Sequence, residues 1–164
     1  KTDDKLIKYL KSIKIDYFRG SLNNVAKRLC DAAEENKANF FMRISADSPL
    51  IDPAVIDKAF KIFNSQKKKY DIITNVFPRS YPKGQSIEII KTSKLRNFLN
   101  KFNKDQKEHV TRYFYKNNKK FVIKNFTSIK NKTKIKLAID TKNDLNVILK
   151  KFKEKNFINF SLKQ

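Results

Sequence analysis

Apolar residues recur along this chain at two spacings, and the switches between them mark out its elements. Spacings of three and four predict helices over residues 2–12 (Leu6, Ile7, Leu10), 24–35 (Val25, Leu29, Ala32, Ala33) and 53–64 (Val55, Ile56, Ala59, Phe60, Phe63). Asn23 or Asn24 caps the second of these. Asp52 reads as the N-cap of the third, because the fixed φ and missing N–H of Pro53 suit the first helical position. Thr92 or Ser93 caps a helix with Leu95, Phe98, Leu99 and Phe102 on its apolar side, and Asp105 opens another bearing Glu108, His109, Val110, Tyr113 and Phe114. A last helix carries Leu145, Ile148, Leu149 and Phe152 on one face. Short apolar or alternating runs predict strands at 13–18, 39–44, 70–74, 86–90, 121–126 and 135–139.

Helix and strand alternate, which implies a parallel sheet with right-handed crossovers. Residues 75–85 interrupt the rhythm. With Pro78, Arg79, Tyr81, Pro82 and Gly84 this stretch forms no regular element and reads as a functional loop or lid.

The first candidate for chemistry follows the strand at 39–44, where the chain turns from apolar to small and polar residues and reaches Asp47. In open α/β sheets ligands sit beyond the carboxyl ends of the strands, so a carboxylate there is a candidate metal or substrate ligand. Acidic residues are scarce, 16 against 38 Lys and Arg, and one other occupies the same kind of place: Asp140, after 135–139. If both strands belong to one parallel sheet, Asp47 and Asp140 reach the same edge and share a hard cation such as Mg²⁺. Helix capping competes for Asp140, since Thr141 with Asp144 resembles a capping box. The single histidine, His109, is weighed against a structural role in the same way, because Glu108 three residues after Asp105 also fits a capping box.

Length and composition narrow the class. A chain of 164 residues with 40% apolar content is long enough for one domain with its own core. Cys30 falls on an apolar helical face and reads as a buried structural thiol in a reducing compartment. No apolar run approaches a membrane span, and the expectation is a soluble cytoplasmic protein without a membrane partner. The net charge of +22 invites a nucleic-acid reading. Its lysines are scattered among Asn, Ile and Phe, with the densest runs at 67–69 and 116–120, so nucleic-acid contact is expected to be non-specific only.

Taken together, Phe18-Arg19-Gly20-Ser21, Val25 with Arg28, the run from Arg43 to Asp52, Asp71 with Asn75, Arg79-Ser80-Tyr81-Pro82-Lys83-Gly84 with Glu88, Glu108-His109-Val110-Thr111, and Ile139-Asp140-Thr141 with Asp144-Leu145 form an ordered series. That series resembles the cytidylyltransferases of spore-coat polysaccharide and acylneuraminate type, relatives of the CMP-Kdo synthetases. The resemblance implies a three-layer α/β/α nucleotide-diphospho-sugar transferase-like fold with a mostly parallel mixed sheet. It also implies transfer of CMP from CTP to an acidic or acylated sugar with Mg²⁺ as cofactor, and a homodimer is compatible with it. Transfer with another nucleotide, or a non-catalytic module of the same fold, is the alternative.

Carried over by position, Asp47 and Asp140 are the catalytic metal-binding pair. Arg19 and Arg43 border the nucleotide cleft, where a guanidinium forks onto phosphate. Asn75, Arg79, Glu88, Glu108 and His109 contribute to the substrate side. The family's opening strand and phosphate-gripping loop find no counterpart here. The chain is therefore expected to begin at the family's second helix, with the first strand missing from the sheet, and to bind CTP poorly by itself.

Overall fold

The computed structural model describes residues 3–65 and 69–154. Lys67 and Lys68 of the first lysine run, and the side chain of Phe152, lie outside the described residues and side chains. The elements are α1 (Asp4–Ser12), α2 (Val25–Glu35), β1 (Phe40–Arg43), α3 (Pro53–Ser65), β2 (Ile72–Thr74) and β3 (Glu88–Lys91), followed by α4 (Thr92–Phe98), α5 (Lys104–Glu108), α6 (Arg112–Lys116), β4 (Ile123–Asn125) and α7 (Lys142–Glu154).

The four strands form one mixed sheet in the order β1-β3-β2-β4. β2 and β4 pair in parallel, but β3 runs antiparallel to both of its neighbours, so the sheet is mixed, as the family resemblance implies, rather than parallel, as alternation alone implies. The cause is the 75–85 stretch, which reverses the chain after β2 without a crossover helix and returns it as β3.

Strand side chains alternate between faces, so the register decides the layers. Phe41, Ile90, Ile72 and Ile123 share one face and pack with Ala26 and Cys30 of α2, Leu95 of α4 and Phe114 of α6. An aromatic cluster finishes this side: Phe121 lies 4.8 Å from Phe114 and 5.0 Å from Phe98, ring centre to ring centre. Edge-on pairs of this kind contribute about 0.5–1.5 kcal/mol each beyond their burial. The opposite face presents Ile73, Ile89 and Met42 to Val55 and Ala59 of α3. Two helical layers thus enclose the sheet, and Cys30 is a buried structural thiol held protonated, its pKa pushed up to about 11 mainly by burial.

Caps decide where several elements begin. The Asn24 side chain accepts from the Lys27 N–H at 2.9 Å, and Asp52 accepts from the Ala54 N–H at 2.9 Å, as the sequence indicates. The expected caps of α4 and α5 are corrected. Thr92 spends its hydroxyl on the Ala38 carbonyl at 2.5 Å, and α4 has no side-chain cap. The capping box of α5 is Asn103 with Gln106, which leaves Glu108 as the helix's last residue and removes the capping explanation for it.

The predicted strand at 13–18 is absent, because Ile13, Ile15 and Tyr17 stay exposed and this segment pairs with no strand among the described residues. The run at 135–139 is not a strand of the sheet either. It makes a single parallel bridge, Lys83 to Lys136, in which the Lys83 N–H donates to the Ile135 carbonyl at 3.1 Å and the Leu137 N–H to the Lys83 carbonyl at 2.7 Å. This close approach needs Gly84, whose φ is +93° and where a Cβ would stand 2.6 Å from Leu137 C and Ala138 N. The end of the presumed lid is consequently packed down: Tyr81, Pro82, Gly84 and Gln85 are buried. Leu137 joins Leu50 and Ile148 in a small cluster that seats α7 against the turn after β1.

Gly84→Ala should destabilise the fold by about 2 kcal/mol or more in urea unfolding, from the strained φ together with the backbone clash; an unchanged midpoint would contradict the close approach. At the start of α7 the Asp144 carboxylate accepts from the Thr141 N–H at 2.8 Å and from Lys136 Nζ at 2.7 Å, while its own N–H donates to Thr141 Oγ at 3.2 Å. Lys136 first, then Thr141, hold the Asp144 pKa down to about 2 from 3.8. A depressed acid stabilises above its unfolded pKa and loses that effect as pH falls through the folded one. Amide protection in the first turn of α7 should hold above about pH 4 and fall between about pH 4 and 2, a step that Asp144→Asn abolishes in hydrogen exchange.

Candidate functional site

The sheet changes character at one end. Ahead of the apolar row on the α2, α4 and α6 side, the register sets Arg43 opposite Glu88 and Glu88 opposite Thr74. A polar row therefore crosses the carboxyl ends of β1 and β2, on the face that α6 covers. Glu88 is 2% exposed and every oxygen is used. Arg43 Nη1 donates to Oε2 at 2.6 Å, and the hydroxyls of Thr111 and Tyr115 donate to Oε1 at 2.7 and 2.6 Å. A buried carboxylate is tolerable only when fully paired in this way.

Burial first, then the Glu88 charge, push the Tyr115 phenol well above its ordinary pKa, so it remains a donor. Tyr115 also lies in contact with Thr74 Oγ at 2.9 Å and stacks on Phe77 with ring centres 4.6 Å apart. The turn containing Phe77 is held by Asn125, whose side chain accepts from the Phe77 N–H at 3.1 Å and donates to the Pro78 carbonyl at 3.0 Å.

A concavity of about 230 Å³ opens over this row, its wall including Arg43, Arg79, Glu88, His109, Arg112 and Tyr115. Arg79 is fixed by Ser86 Oγ at 2.9 Å and the Pro82 carbonyl at 3.3 Å. Burial lowers its pKa, opposed by the neighbouring Glu88 charge. Asp105 pairs with Arg112 and lies 4.0 Å from His109 Nε2. Since the oxygens of Glu88 are already committed, the cavity's remaining polar character is cationic, suited to anionic or hydroxyl-rich groups.

The loops that carry the two aspartates touch at a rim beyond the end of β1. The Ile139 N–H donates to the Asp47 carbonyl at 2.8 Å, which sets positions 47 and 140 on touching backbone. Both side chains are exposed. Asp47 accepts from the Ser48 hydroxyl at 2.8 Å, and Asp140 pairs with Lys136 at 2.8 Å. The Thr141–Asp144 capping box forms as well, but through Asp144, which leaves the Asp140 carboxylate outside it. Among the described residues no group of three or more His, Cys, Asp or Glu is placed to hold a metal.

Of the sequence-predicted residues, Arg43, Arg79, Glu88 and His109 converge on the cavity, and Asp47 with Asp140 form the rim. Asn75 is elsewhere: buried, it donates to the Gln85 carbonyl at 2.6 Å and accepts from the Ile87 N–H at 2.9 Å. Arg19 pairs with Asp4 on a separate surface beside α1, and Glu108 points to solvent at the end of α5. Sequence reasoning missed Tyr115 and Arg112, although the spacing of Thr111 and Tyr115 on one helix puts both on the same face. It also missed Gln85, which donates to the Leu50 carbonyl at 2.6 Å and accepts from the Asp52 N–H at 2.8 Å, tying the 75–85 stretch to the turn after β1. No local pattern announces a bond across more than 30 positions.

Known proteins resemble this chain in sequence and in fold. A cytidylyltransferase family model matches residues 2–163. The chain is 29% identical over its whole length to "Uncharacterized protein MJ1063" of Methanocaldococcus jannaschii, covering 67% of that protein. Among solved structures, a cytidylyltransferase from Leptospira borgpetersenii serovar Hardjo-bovis superposes with a TM-score of 0.82 at 26% identity, over 99% of this chain and 76% of that one. With the family model spanning nearly every residue and the fold agreeing, the chain belongs to the cytidylyltransferase family.

Proposed function

We propose that this protein transfers CMP from CTP to a hydroxyl of an acidic or acylated sugar, releasing pyrophosphate, in the synthesis of a surface polysaccharide or other glycan. Family membership supports nucleotidyl transfer in general. The observation that carries the reading is the 2.8 Å bond from the Ile139 N–H to the Asp47 carbonyl, which brings the two aspartate-bearing loops into contact beyond the end of β1, the strand whose Arg43 lines the cationic cavity.

In this reading Asp47 and Asp140 hold Mg²⁺. The donor set fits: two hard oxygen donors on touching loops are what an ion that keeps several waters requires. Lys136, which now pairs with Asp140, has a second partner in Asp144 at 2.7 Å and retains it when Asp140 takes a metal. When bound, the ion supplies charge neutralisation at the triphosphate. The chain's own residues do the rest. Arg79, Arg43 and Arg112 draw the acceptor into the cavity and fix its orientation, with His109 at the wall. Glu88 organises rather than accepts a proton, since both of its oxygens already receive donors.

Asp47→Asn and Asp140→Asn, each made in the full natural chain, should lower Mg²⁺-dependent pyrophosphate release by roughly a hundredfold or more while the circular dichroism melt stays in place. The assay uses CTP with a panel of 3-deoxy-2-keto acids and N-acylated sugars. Full turnover in either variant rejects the metal assignment, and no turnover by the unaltered protein with any sugar rejects the reaction.

A further inference from the structure

We infer that Tyr115 is a positioning residue that sets the Arg43 guanidinium, through Glu88, at the wall of the cavity, and braces the turn that presents Arg79. The inference rests on the reading of that cavity as the acceptor subsite.

Arg43 alone is poorly constrained. It ends an edge strand, its side chain is 28% exposed, and Glu88 is its side-chain hydrogen-bond partner. Two rotors facing each other across strands do not define a direction unless one is locked. Glu88 is locked by the two hydroxyl donors on Oε1, which leave Oε2 for Arg43. Tyr115 is the donor braced from outside the polar row, by a ring stacked on Phe77 at an interplanar angle of 8°. Its phenol is further fixed by the contact with Thr74 Oγ at 2.9 Å.

The same stack reaches Arg79. Phe77 lies in the tight turn closed by the Val76–Arg79 bridge, so a ring pressed on Phe77 holds the start of the segment that delivers the second guanidinium. One side chain on α6 therefore joins two arginines that arrive from unrelated parts of the chain. Anion-binding forks act through geometry, and preorganising them raises affinity without a new contact to the ligand.

Tyr115→Phe keeps the ring and its stack and deletes the hydroxyl; Thr111→Val deletes only the other donor to Oε1 and serves as a second variant. Guanidinium nitrogen NMR on the full chain reads the positioning directly. The Arg43 Nη–H signals should be resolved and slowly exchanging in the unaltered protein and should broaden or average in Tyr115→Phe, with the melt little changed. Signals that stay sharp and unshifted in Tyr115→Phe overturn the inference, whatever Thr111→Val does and whatever the protein catalyses. With a sugar that the panel shows to be turned over, the acceptor KM should rise roughly tenfold in Tyr115→Phe, the size of one lost hydrogen bond to a charged group, while the KM for CTP holds. Equal rises in both, or none, overturn it as well. An unaltered protein that turns over no sugar condemns the proposed reaction alone, and the NMR comparison still decides the role of Tyr115.

Discussion

The structure depends on backbone that is paired without forming a sheet. Beyond the short strands, the segments that carry the candidate chemistry are irregular, and their amide and carbonyl groups must find partners or lose their place. They find them in one another. The Ile139 N–H meets the Asp47 carbonyl, Gln85 spans from Leu50 to Asp52, and Asn75 does the same between Gln85 and Ile87. Two buried side-chain amides thus act as extra peptide units that tie the stretch after β2 to the turn after β1, and the Ile139–Asp47 backbone bond adds the third loop. A half-satisfied amide in such a site costs about 1–3 kcal/mol, so the arrangement is held in full or not at all.

On that rim the sheet supplies a second constraint. Its apolar rows are anchored by helices on both sides, and the last row toward the carboxyl ends of β1 and β2 is polar. Burying Glu88 there is unfavourable unless each oxygen is paired, and the pairing recruits β1, β2, β3 and α6 at once. The consequence is a cationic cavity whose lining carboxylate, Glu88, is already spoken for, while Asp47 and Asp140 stand exposed on touching loops.

Much of this was legible in the sequence because local physics announces it. Helical spacing of Val25, Leu29 and Ala33, the Asn24 cap and the Asp52-Pro53 start all appear where read. Period-two runs were less reliable. Residues 13–18 have the apolar content of a strand, yet an alternating pattern needs a neighbouring edge, and none pairs with them among the described residues. Residues 135–139 do find a partner, but it is the backbone beside Gly84 rather than a ladder. Of the site, Arg43, Arg79, Glu88, His109 and the aspartates could be picked out as charges at strand ends or in motifs. Gln85 and Tyr115 could not, because a neutral side chain reveals its use only through a partner far away in the chain.

The account stands on Asp47 and Asp140 acting on one ion. Paramagnetic broadening by Mn²⁺, titrated with CTP into the isotope-labelled protein, tests it most directly. Amides of 46–48 and 139–141 should broaden together with one midpoint, and Asp47→Asn should abolish the effect on both loops. Broadening confined to one loop, or centred elsewhere on the molecule, would contradict it.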